Sequence, residues 1–273
     1  MRRPAVSPTL PDITSRRHPL VQAARDARAG GADQPLLLDG WHLLVEASRS
    51  PLDVDAVLLG TEPPGAAERE ALAALDDRGA QIVRATADVL HAASPVRTPS
   101  GVVALARRPA RPVADVFAAA PALVVALVDV QDPGNVGTVL RTAEAAGATG
   151  VLAVGATADP LGWKALRASM GSAFRVPAAR LDNATVLLQE LAAHRVQTVA
   201  LVPAGGDAAA DLDLTAPTAL LLGGEGAGLP DTVVRASAAR LQLPMRAPVE
   251  SLNVAVAGAL ALYAAAAQRE HPR

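Results

Sequence analysis

Cysteine is absent from the 273 residues of the chain, and aromatic residues make up only 2% of it. Without cysteine the protein has no disulfide framework, no thiolate nucleophile and no sulfur-rich metal site. We therefore expect a protein of the reducing cytoplasm, and we predict no metal centre. The shortage of aromatic side chains argues against a surface on which the bases of a single-stranded nucleic acid would stack.

Long apolar runs are also absent. The longest run, residues 254–267, has 14 residues and is mostly alanine, whereas a membrane-spanning helix needs about 18 to 20 apolar residues. This run predicts a buried helix and no association with a membrane. The first residues carry Arg2 and Arg3 but are interrupted by prolines and lead into no apolar core, so they do not resemble a signal peptide. We expect residues 1–17 to form a mobile tail.

Neither sign of charge dominates the chain, whose formal net charge is −2. Residues 1–112 hold 14 arginines and 13 acidic residues, and residues 113–273 hold 11 basic and 14 acidic residues, so the two parts carry +1 and −3. A nucleic-acid binder is usually basic, so any positive patch must be local. Lys164 is the single lysine. Arginine binds phosphate well through its planar fork, but a GC-rich genome produces the same bias and is the simpler explanation.

What the chain does contain is an alternation of apolar strand-like runs and helical segments. The composition, 51% hydrophobic and 19% charged, is typical of a globular protein, and the length allows two modest domains. Residues 18–107 predict a small α/β domain, residues 108–121 a charged, proline-broken linker, and residues 122–273 a second α/β domain. The strands of this second domain are near-continuous apolar runs, which predicts a parallel sheet covered on both faces. The predicted strands are residues 36–39, 54–59, 81–84, 101–106, 123–128, 150–154, 197–201, 219–222 and 240–243.

Ligands of open parallel sheets bind beyond the carboxyl ends of the strands. The loops to inspect follow Val128, Leu201, Leu222 and Leu243. The first of these loops leads into a predicted helix over residues 135–146. If Asn135 caps this helix, Arg141 lies about two turns further along and Glu144 one turn beyond it. A capped helix with a surface arginine is the alternative interpretation.

The loop after residue 222 contains four glycines and one acidic residue, Glu225. Glycine allows backbone groups to approach a ligand closely, so this loop could hold a nucleotide by its main chain. The loop lacks the Lys-Ser/Thr pair of a phosphate-binding P-loop, and its glycines do not have the G-x-G-x-x-G spacing. A plain glycine-rich turn is the alternative.

The loop after residue 243 enters a predicted helix over residues 252–268. Ser251 is a candidate N-cap for this helix. Asn253 follows at the start of an otherwise apolar helix, where we expect it to be buried. A buried amide without partners costs about 1–3 kcal/mol, so we expect hydrogen-bond partners for Asn253.

Three motifs stand in order along the second domain. They are Asn135-x-Gly137-x-x-x-Arg141, Gly223-x-Glu225-Gly226-x-Gly228-Leu229, and Pro244-Met245 with Ser251-Leu252-Asn253. With these motifs, residues 122–268 resemble the SPOUT methyltransferases in their SpoU (TrmH) branch of RNA 2′-O-ribose methylases. The resemblance implies a C-terminal parallel-sheet domain tied in a deep trefoil knot, an exception to the rule that chains do not thread loops. It also implies a functional homodimer across the knotted domains.

The N-terminal domain resembles, more weakly, the ribosomal-protein-like domain that binds the RNA substrate in many members of this branch. Residues 36–44 carry this resemblance as a strand and turn. The usual glutamate is replaced here by Asp39, and the basic residues that commonly precede the strand are nearly absent. The overall expectation is a small N-terminal α/β substrate-binding domain joined to a C-terminal SPOUT methyltransferase domain.

The resemblance further implies that S-adenosyl-L-methionine is the cofactor, held mainly by the main chain of three loops. The predicted cofactor-binding residues are Leu201, Val202, Leu222, Gly223, Gly224, Gly226, Leu243, Met245, Leu252 and Asn253. The expected substrate is RNA, and ribosomal RNA is favoured over transfer RNA because an appended N-terminal domain accompanies that use more often in the family.

No histidine occupies any of the motifs, so the usual general base for a ribose hydroxyl is missing. A guanidinium is effectively never deprotonated in proteins, so we assign Arg141 to hold the adjoining phosphate and to stabilise alkoxide charge. Glu225 is then the proton acceptor or the partner of the arginine. Asn135, Ser251 and Asn253 are expected to position substrate and cofactor.

Two other functions remain open on the sequence. A non-catalytic RNA-binding protein of the same fold is disfavoured because the polar motif residues are complete. A dinucleotide-dependent enzyme of the Rossmann type is disfavoured because its glycine fingerprint follows the first strand of neither domain.

Overall fold

A computed structural model describes residues 12–270 of the chain. The strands are β1 (Asp12–Ile13), β2 (Leu36–Asp39), β3 (Val54–Leu59), β4 (Gln81–Ala85), β5 (Val102–Ala106), β6 (Leu123–Val128), β7 (Gly150–Val154), β8 (Ala178–Leu181), β9 (Gln197–Val202), β10 (Thr218–Gly223) and β11 (Ala239–Gln242). The α-helices are α1 (Pro19–Ala29), α2 (Trp41–Ser48), α3 (Ala66–Asp77), α4 (Ala87–Ala93), α5 (Pro133–Ala145), α6 (Trp163–Ser169), α7 (Ala184–Ala193), α8 (Asp231–Ala236) and α9 (Val254–Glu270). None of these helices is long and apolar enough to cross a membrane.

The chain divides into two compact units. Unit 1 holds the residues up to Ala110 together with Leu161–Phe174, and unit 2 holds Arg111–Pro160 and the residues from Arg175 onward. The division near residue 110 falls within the segment 108–121, where the sequence predicted a linker. The prediction placed residues 161–174 in the methyltransferase domain, whereas the structure assigns them to unit 1.

Unit 1 is built on a five-stranded sheet in the order β1-β4-β3-β5-β2. Strand β5 runs antiparallel to β2 and β3, and the remaining pairs are parallel. The core contains Val21 of α1, Val89 of α4 and the strand residues Leu37, Leu58 and Val83, all nearly inaccessible to solvent. Strand β1 lies inside the segment that was predicted to be a tail; residues 1–11 of that segment lie outside the described residues.

Helix α6 is the part of the later sequence that packs against β2. Trp163 lies against the core of unit 1, and Arg167 donates to the carboxylate of Asp39. The side chain of Asp39 is only 1% exposed, and its other oxygen accepts a hydrogen bond from Ser94 Oγ at 2.7 Å. Because a buried carboxylate is costly without partners, the arginine and the hydroxyl together allow Asp39 to lie inside this unit.

Unit 2 is built on a six-stranded sheet in the order β11-β9-β10-β6-β7-β8. Every adjacent pair in this sheet is parallel. All six residues of β6 are buried, as are the first five of β10, so the prediction of a parallel sheet covered on both faces is confirmed. Strand β8 was not predicted because its four residues, Ala-Ala-Arg-Leu, form no continuous apolar run. Part of the predicted linker is a 3-10 turn, Val113–Phe117, whose Val116 is buried in the core of this unit.

Helix α9 packs against both α5 and β10. At Gly258 an added Cβ would lie 3.1 Å from a methyl group of Leu222, so the glycine permits close packing of the helix on the strand. The opposite face of α9 presents Val256, Leu260 and Tyr263 to solvent. The threading of the chain into a trefoil knot stays a prediction from the family resemblance.

Candidate functional site

A cavity of about 620 Å³ opens at the carboxyl ends of β9, β10 and β11 in unit 2. This volume lies within the usual range of about 300–1,000 Å³ for small-molecule sites. Its wall consists of Leu201, Val202, Pro203, Ala204, Leu222, Gly223, Gly224, Glu225, Gly226, Ala227, Gly228, Leu229, Asp231, Val234, Leu241, Leu243, Met245, Ser251, Leu252, Asn253, Val254 and Ala257. Among the described residues, no group of three or more His, Asp or Glu side chains could hold a metal ion.

The cavity forms where two neighbouring strands separate. The ladder between β9 and β10 ends at the pair Ala200 and Leu221. Strand β9 nevertheless stays paired with β11 as far as Val202, and β10 stays paired with β6 as far as Gly223. The facing backbone edges beyond residues 200 and 221 are therefore not joined by the sheet ladder. Such edges can donate and accept hydrogen bonds with a planar heterocycle placed between them.

Two glycines at the end of β10 are required by backbone packing. A Cβ at Gly223 would lie 2.1 Å from the carbonyl carbon of Gly228, and a Cβ at Gly224 would lie 2.4 Å from the carbonyl oxygen of Asp129. Both distances are far inside van der Waals contact, and the obstructing atoms are main chain. The sequence analysis attributed these glycines to close approach of a ligand; the structure shows that protein backbone occupies this space.

The remaining glycines of the loop shape a tight turn. Gly226 and Gly228 have φ values of +83° and +67°, in the left-handed region that favours glycine. The amide of Gly228 donates to the carbonyl oxygen of Gly224 at 3.0 Å, which folds the loop back on itself. The turn thereby presents the side chain of Glu225 at the cavity wall.

A chain of side-chain hydrogen bonds connects the start of α9 to Glu225. The Asn253 Oδ1 atom accepts from the backbone amides of Ala255 at 2.9 Å and Val256 at 3.3 Å. Asn253 Nδ2 donates to Asn135 Oδ1 at 3.1 Å, and Asn135 Nδ2 donates to Glu225 Oε1. We refer to these three residues, Asn253, Asn135 and Glu225, as the amide relay.

Only one orientation of the two side-chain amides in the relay gives every group a suitable hydrogen-bond partner. The first turn of a helix exposes backbone N–H groups, so the side-chain oxygen of Asn253 must face them and its nitrogen must face away. That nitrogen can only donate, which requires the oxygen of Asn135 to face it. The amide nitrogen of Asn135 then faces Glu225, which accepts. The helix terminus therefore fixes the carboxylate of Glu225 as a hydrogen-bond acceptor.

Two cap assignments made from the sequence were wrong. Helix α5 begins two residues earlier than predicted, and its N-cap is Asp132, whose side chain accepts from the amide of Asn135 at 2.8 Å. Helix α9 begins at Val254, and Asn253 rather than Ser251 supplies the side-chain cap. Asn253 is also exposed rather than buried. The expectation that it has hydrogen-bond partners is confirmed.

All ten residues predicted to bind the cofactor lie in the cavity wall, as do Glu225 and Ser251. Asn135 contacts Glu225 although it is not part of the wall. Arg141 is exposed on α5, six residues beyond Asn135, which corresponds to about 9 Å along the helix axis. The structure does not bring Arg141 to the cavity wall.

Several residues of the cavity wall were not predicted. Pro203 and Ala204 directly follow β9, and Asp231 begins α8. The first two could have been found from the rule that ligands bind beyond strand ends, because they directly follow the last residue of β9, Val202. Nothing in the local sequence identifies Asp231 as part of the cavity wall, because its place there depends on how α8 packs after the glycine-rich loop of residues 224–230.

Comparison with known proteins identifies similar sequences across both units. A sequence model described as the SpoU rRNA Methylase family matches residues 122–263. A 23S rRNA (guanosine(2553)-2′-O)-methyltransferase, RlmP, of Bacillus subtilis is 33% identical over 228 residues, which cover 83% of this chain and 86% of that protein. A Synechocystis protein described as an uncharacterized tRNA/rRNA methyltransferase is 32% identical and covers 94% of both chains.

Solved structures similar to this chain are also methyltransferases. The SpoU methyltransferase AviRb from Streptomyces viridochromogenes, in complex with AdoMet, superposes with a TM-score of 0.82 and 28% identity, covering 94% of this chain and 100% of that one. An AdoMet-bound rRNA methyltransferase from Sinorhizobium meliloti superposes with a TM-score of 0.81 and 29% identity, covering 96% and 98% of the two chains. The similarity therefore extends over unit 1 as well as unit 2.

Proposed function

The chain belongs to the SpoU rRNA methylase family, and from this premise we propose that it transfers a methyl group from S-adenosylmethionine to a ribose 2′-hydroxyl of ribosomal RNA. The observation that carries this proposal is the amide relay, which fixes an acceptor carboxylate, Glu225, at the wall of a cavity of cofactor size. The Bacillus subtilis relative that is named as a 23S rRNA 2′-O-methyltransferase supports the choice of substrate.

The cavity suits S-adenosylmethionine in size and in chemistry. The unpaired backbone edges after Ala200 and Leu221 offer donors and acceptors to the adenine ring. The apolar side chains of Leu201, Leu243 and Met245 line the same cavity and can cover the faces of the ring. When bound, the cofactor supplies a methyl group on a sulfonium centre. We assign its binding to the ten predicted residues listed for it above.

The residues of this chain have separate tasks in the reaction. A ribose hydroxyl is a weak nucleophile until its proton is removed, and the carboxylate of Glu225 accepts that proton as the oxygen–methyl bond forms and the sulfur–methyl bond breaks. The amide relay keeps this carboxylate oriented before the substrate arrives. Ser251, in the cavity wall, helps to position the reacting groups. Arg141, which lies outside the cavity wall, is assigned to the phosphate that adjoins the reacting ribose, where its charge also favours negative charge on the reacting oxygen.

Recognition of RNA should rest on shape and phosphate contacts, because only 2% of the chain is aromatic. We propose that unit 1 contributes to holding the RNA, and that the protein works in the cytoplasm, where its substrate lies.

Transfer RNA is the alternative substrate, and a non-catalytic RNA-binding protein of the same fold is the alternative activity. The complete amide relay favours the enzyme, since a protein without turnover has no need for an oriented carboxylate.

We also propose that two copies of the chain form a homodimer through α9. Val256, Leu260 and Tyr263 are between 49% and 55% exposed, and their spacing places them along one side of α9. Leu252, which is 38% exposed, lies just before the helix. An apolar stripe of this kind is unusual on a monomer. Leu260→Glu should convert a dimer to monomers in sedimentation experiments, whereas Gln189→Glu on the exposed surface of α7 should not. A wild-type monomer at micromolar concentration would contradict the dimer.

The activity can be tested with ribosomal RNA from a strain that lacks the gene. Purified protein and labelled S-adenosylmethionine should add one methyl group at a defined ribose, which can be mapped by resistance of the adjacent phosphodiester to alkaline cleavage. Glu225→Gln preserves the shape of the side chain and should reduce the rate at least 100-fold while cofactor binding persists. Absence of transfer to ribosomal RNA with transfer to transfer RNA would identify the alternative substrate. Absence of transfer to either would refute the enzyme.

A further inference from the structure

Helix α5 carries an acidic residue one turn beyond Arg141. Residues three apart on a helix are neighbours, and opposite charges at this spacing attract each other. Glu144 would therefore be expected to pair with Arg141. The structure shows a different arrangement: the side chain of Arg141 makes no hydrogen bond or ion pair with any described residue, and Glu144 is bound by Arg175.

The contact between Arg175 and Glu144 is bidentate. Arg175 Nε donates to Glu144 Oε1, and Arg175 Nη2 donates to Glu144 Oε2 at 3.0 Å. Two parallel hydrogen bonds between a guanidinium and a carboxylate form the strongest common geometry for such a pair. The two side chains are 40% and 32% exposed, so the pair is less screened by solvent than one on the open surface.

The position of Glu144 explains why it needs a cation. It lies in the last turn of α5, which ends at Ala145, and a negative charge is unfavourable beside the carbonyl end of a helix. If Arg175 were absent, the nearest cation on the same helix would be Arg141, one turn away. The guanidinium assigned to the RNA phosphate would then be partly neutralised.

We propose that Arg175 is a positioning residue: by holding Glu144 in a bidentate ion pair, it keeps the guanidinium of Arg141 free to bind the RNA phosphate next to the reacting ribose. This inference rests on the proposed function. Arg175 itself need not touch RNA or cofactor. Its effect is exerted through Glu144, so it should disappear when the charge of Glu144 is removed.

The test compares single and double variants in steady-state methyl transfer. Arg175→Ala should raise the KM for RNA about fivefold, because it both exposes Arg141 to a competing carboxylate and leaves that carboxylate near the phosphate. The dissociation constant for S-adenosylmethionine should not change. The double variant Arg175→Ala/Glu144→Gln should restore the KM to within about twofold of the wild type, and Glu144→Gln alone should not raise it.

Rescue separates this role from a structural one, since a packing defect would persist or worsen in the double variant. A KM that stays raised in the double variant, or that is unchanged in Arg175→Ala, would overturn the inference. Arg175→Lys serves as a second variant if Arg175→Ala does not fold; it retains the positive charge on a single nitrogen without the bidentate geometry and should give an intermediate KM that Glu144→Gln also corrects. An inactive wild-type enzyme would instead refute the proposed function, so the two failures are distinct.

Discussion

Replacing Asn253 by aspartate separates the two tasks of this side chain. The carboxylate of Asn253→Asp can still accept from the amides of Ala255 and Val256, which Asn253 Oδ1 now caps. A negative charge at the start of a helix is also favourable. The cap of α9 should therefore survive the substitution, and the thermal stability of the protein should be unchanged or slightly raised.

The other task of Asn253 should be lost. Its Nδ2 donates to Asn135 Oδ1 at 3.1 Å, and in Asn253→Asp an oxygen stands in place of this nitrogen. If Asn135 turns its amide around to compensate, it presents an oxygen to Glu225, so two acceptors meet at one end of the relay or the other. A hydrogen bond to a charged group contributes about 1.5–3 kcal/mol. The expected loss in turnover is therefore about 10- to 150-fold.

The assay is single-turnover methyl transfer at saturating RNA and cofactor, with thermal unfolding measured on the same samples. Asn253→Ala provides the matched control, because it removes the cap as well as the donor. It should lower turnover similarly and destabilise the protein by about 1 kcal/mol, which corresponds to a fall in Tm of about 2–4 °C. Wild-type turnover in Asn253→Asp would refute the directional reasoning applied to the amide relay.

Two further substitutions test the packing that forms the site. Gly224→Ala should displace the glycine loop, because its Cβ would lie 2.4 Å from the carbonyl oxygen of Asp129, and calorimetry should find S-adenosylmethionine affinity reduced at least tenfold. Gly147→Asn is its control, since Gly147 is not part of the cavity wall, nothing lies within 4 Å of a Cβ there and asparagine tolerates left-handed backbone; equal affinity in the two variants would contradict the packing argument. Arg269→Ala should destabilise unit 2 by about 2–4 kcal/mol, because Arg269 donates to the carbonyl oxygens of Pro121, Ala122, Leu214 and Ala216. Thermal unfolding checks this loss, and an unchanged Tm would show that the four contacts add little to stability.

The strands of unit 2 could be predicted because their side chains are buried on both faces. Runs such as Leu123–Val128 contain no polar residue, and few structures other than a covered parallel strand bury such a run completely. The location of the site followed from these strands by the rule that ligands bind at carboxyl ends. The family resemblance, rather than the strand pattern, implied which residues of these loops bind the cofactor, and all ten of them lie at one cavity.

Other features could not be read from local sequence. The helical pattern of residues 163–169 is the same whichever unit the helix packs on, so its contact with β2 was not predictable from periodicity. The two residues of β1 are too few to show any period. Asn253 was expected to be buried because apolar residues follow it, but those residues belong to a helix that begins after it. The requirement for glycine at positions 223 and 224 depends on close contacts with distant main-chain atoms, which no local sequence pattern indicates.

The excursion of residues 161–174 limits how the protein can be divided. A fragment that stops at Ala110 would lack α6, so β2 would lose the helix that covers it and Asp39 would lose the guanidinium of Arg167. Exchanging only the first 110 residues with those of a relative would likewise transfer unit 1 without residues 161–174. A chimera intended to alter RNA choice must therefore carry residues 161–174 along with the N-terminal sequence. Part of unit 1 is encoded within the sequence of the methyltransferase domain, so the two cannot be exchanged independently by a single junction.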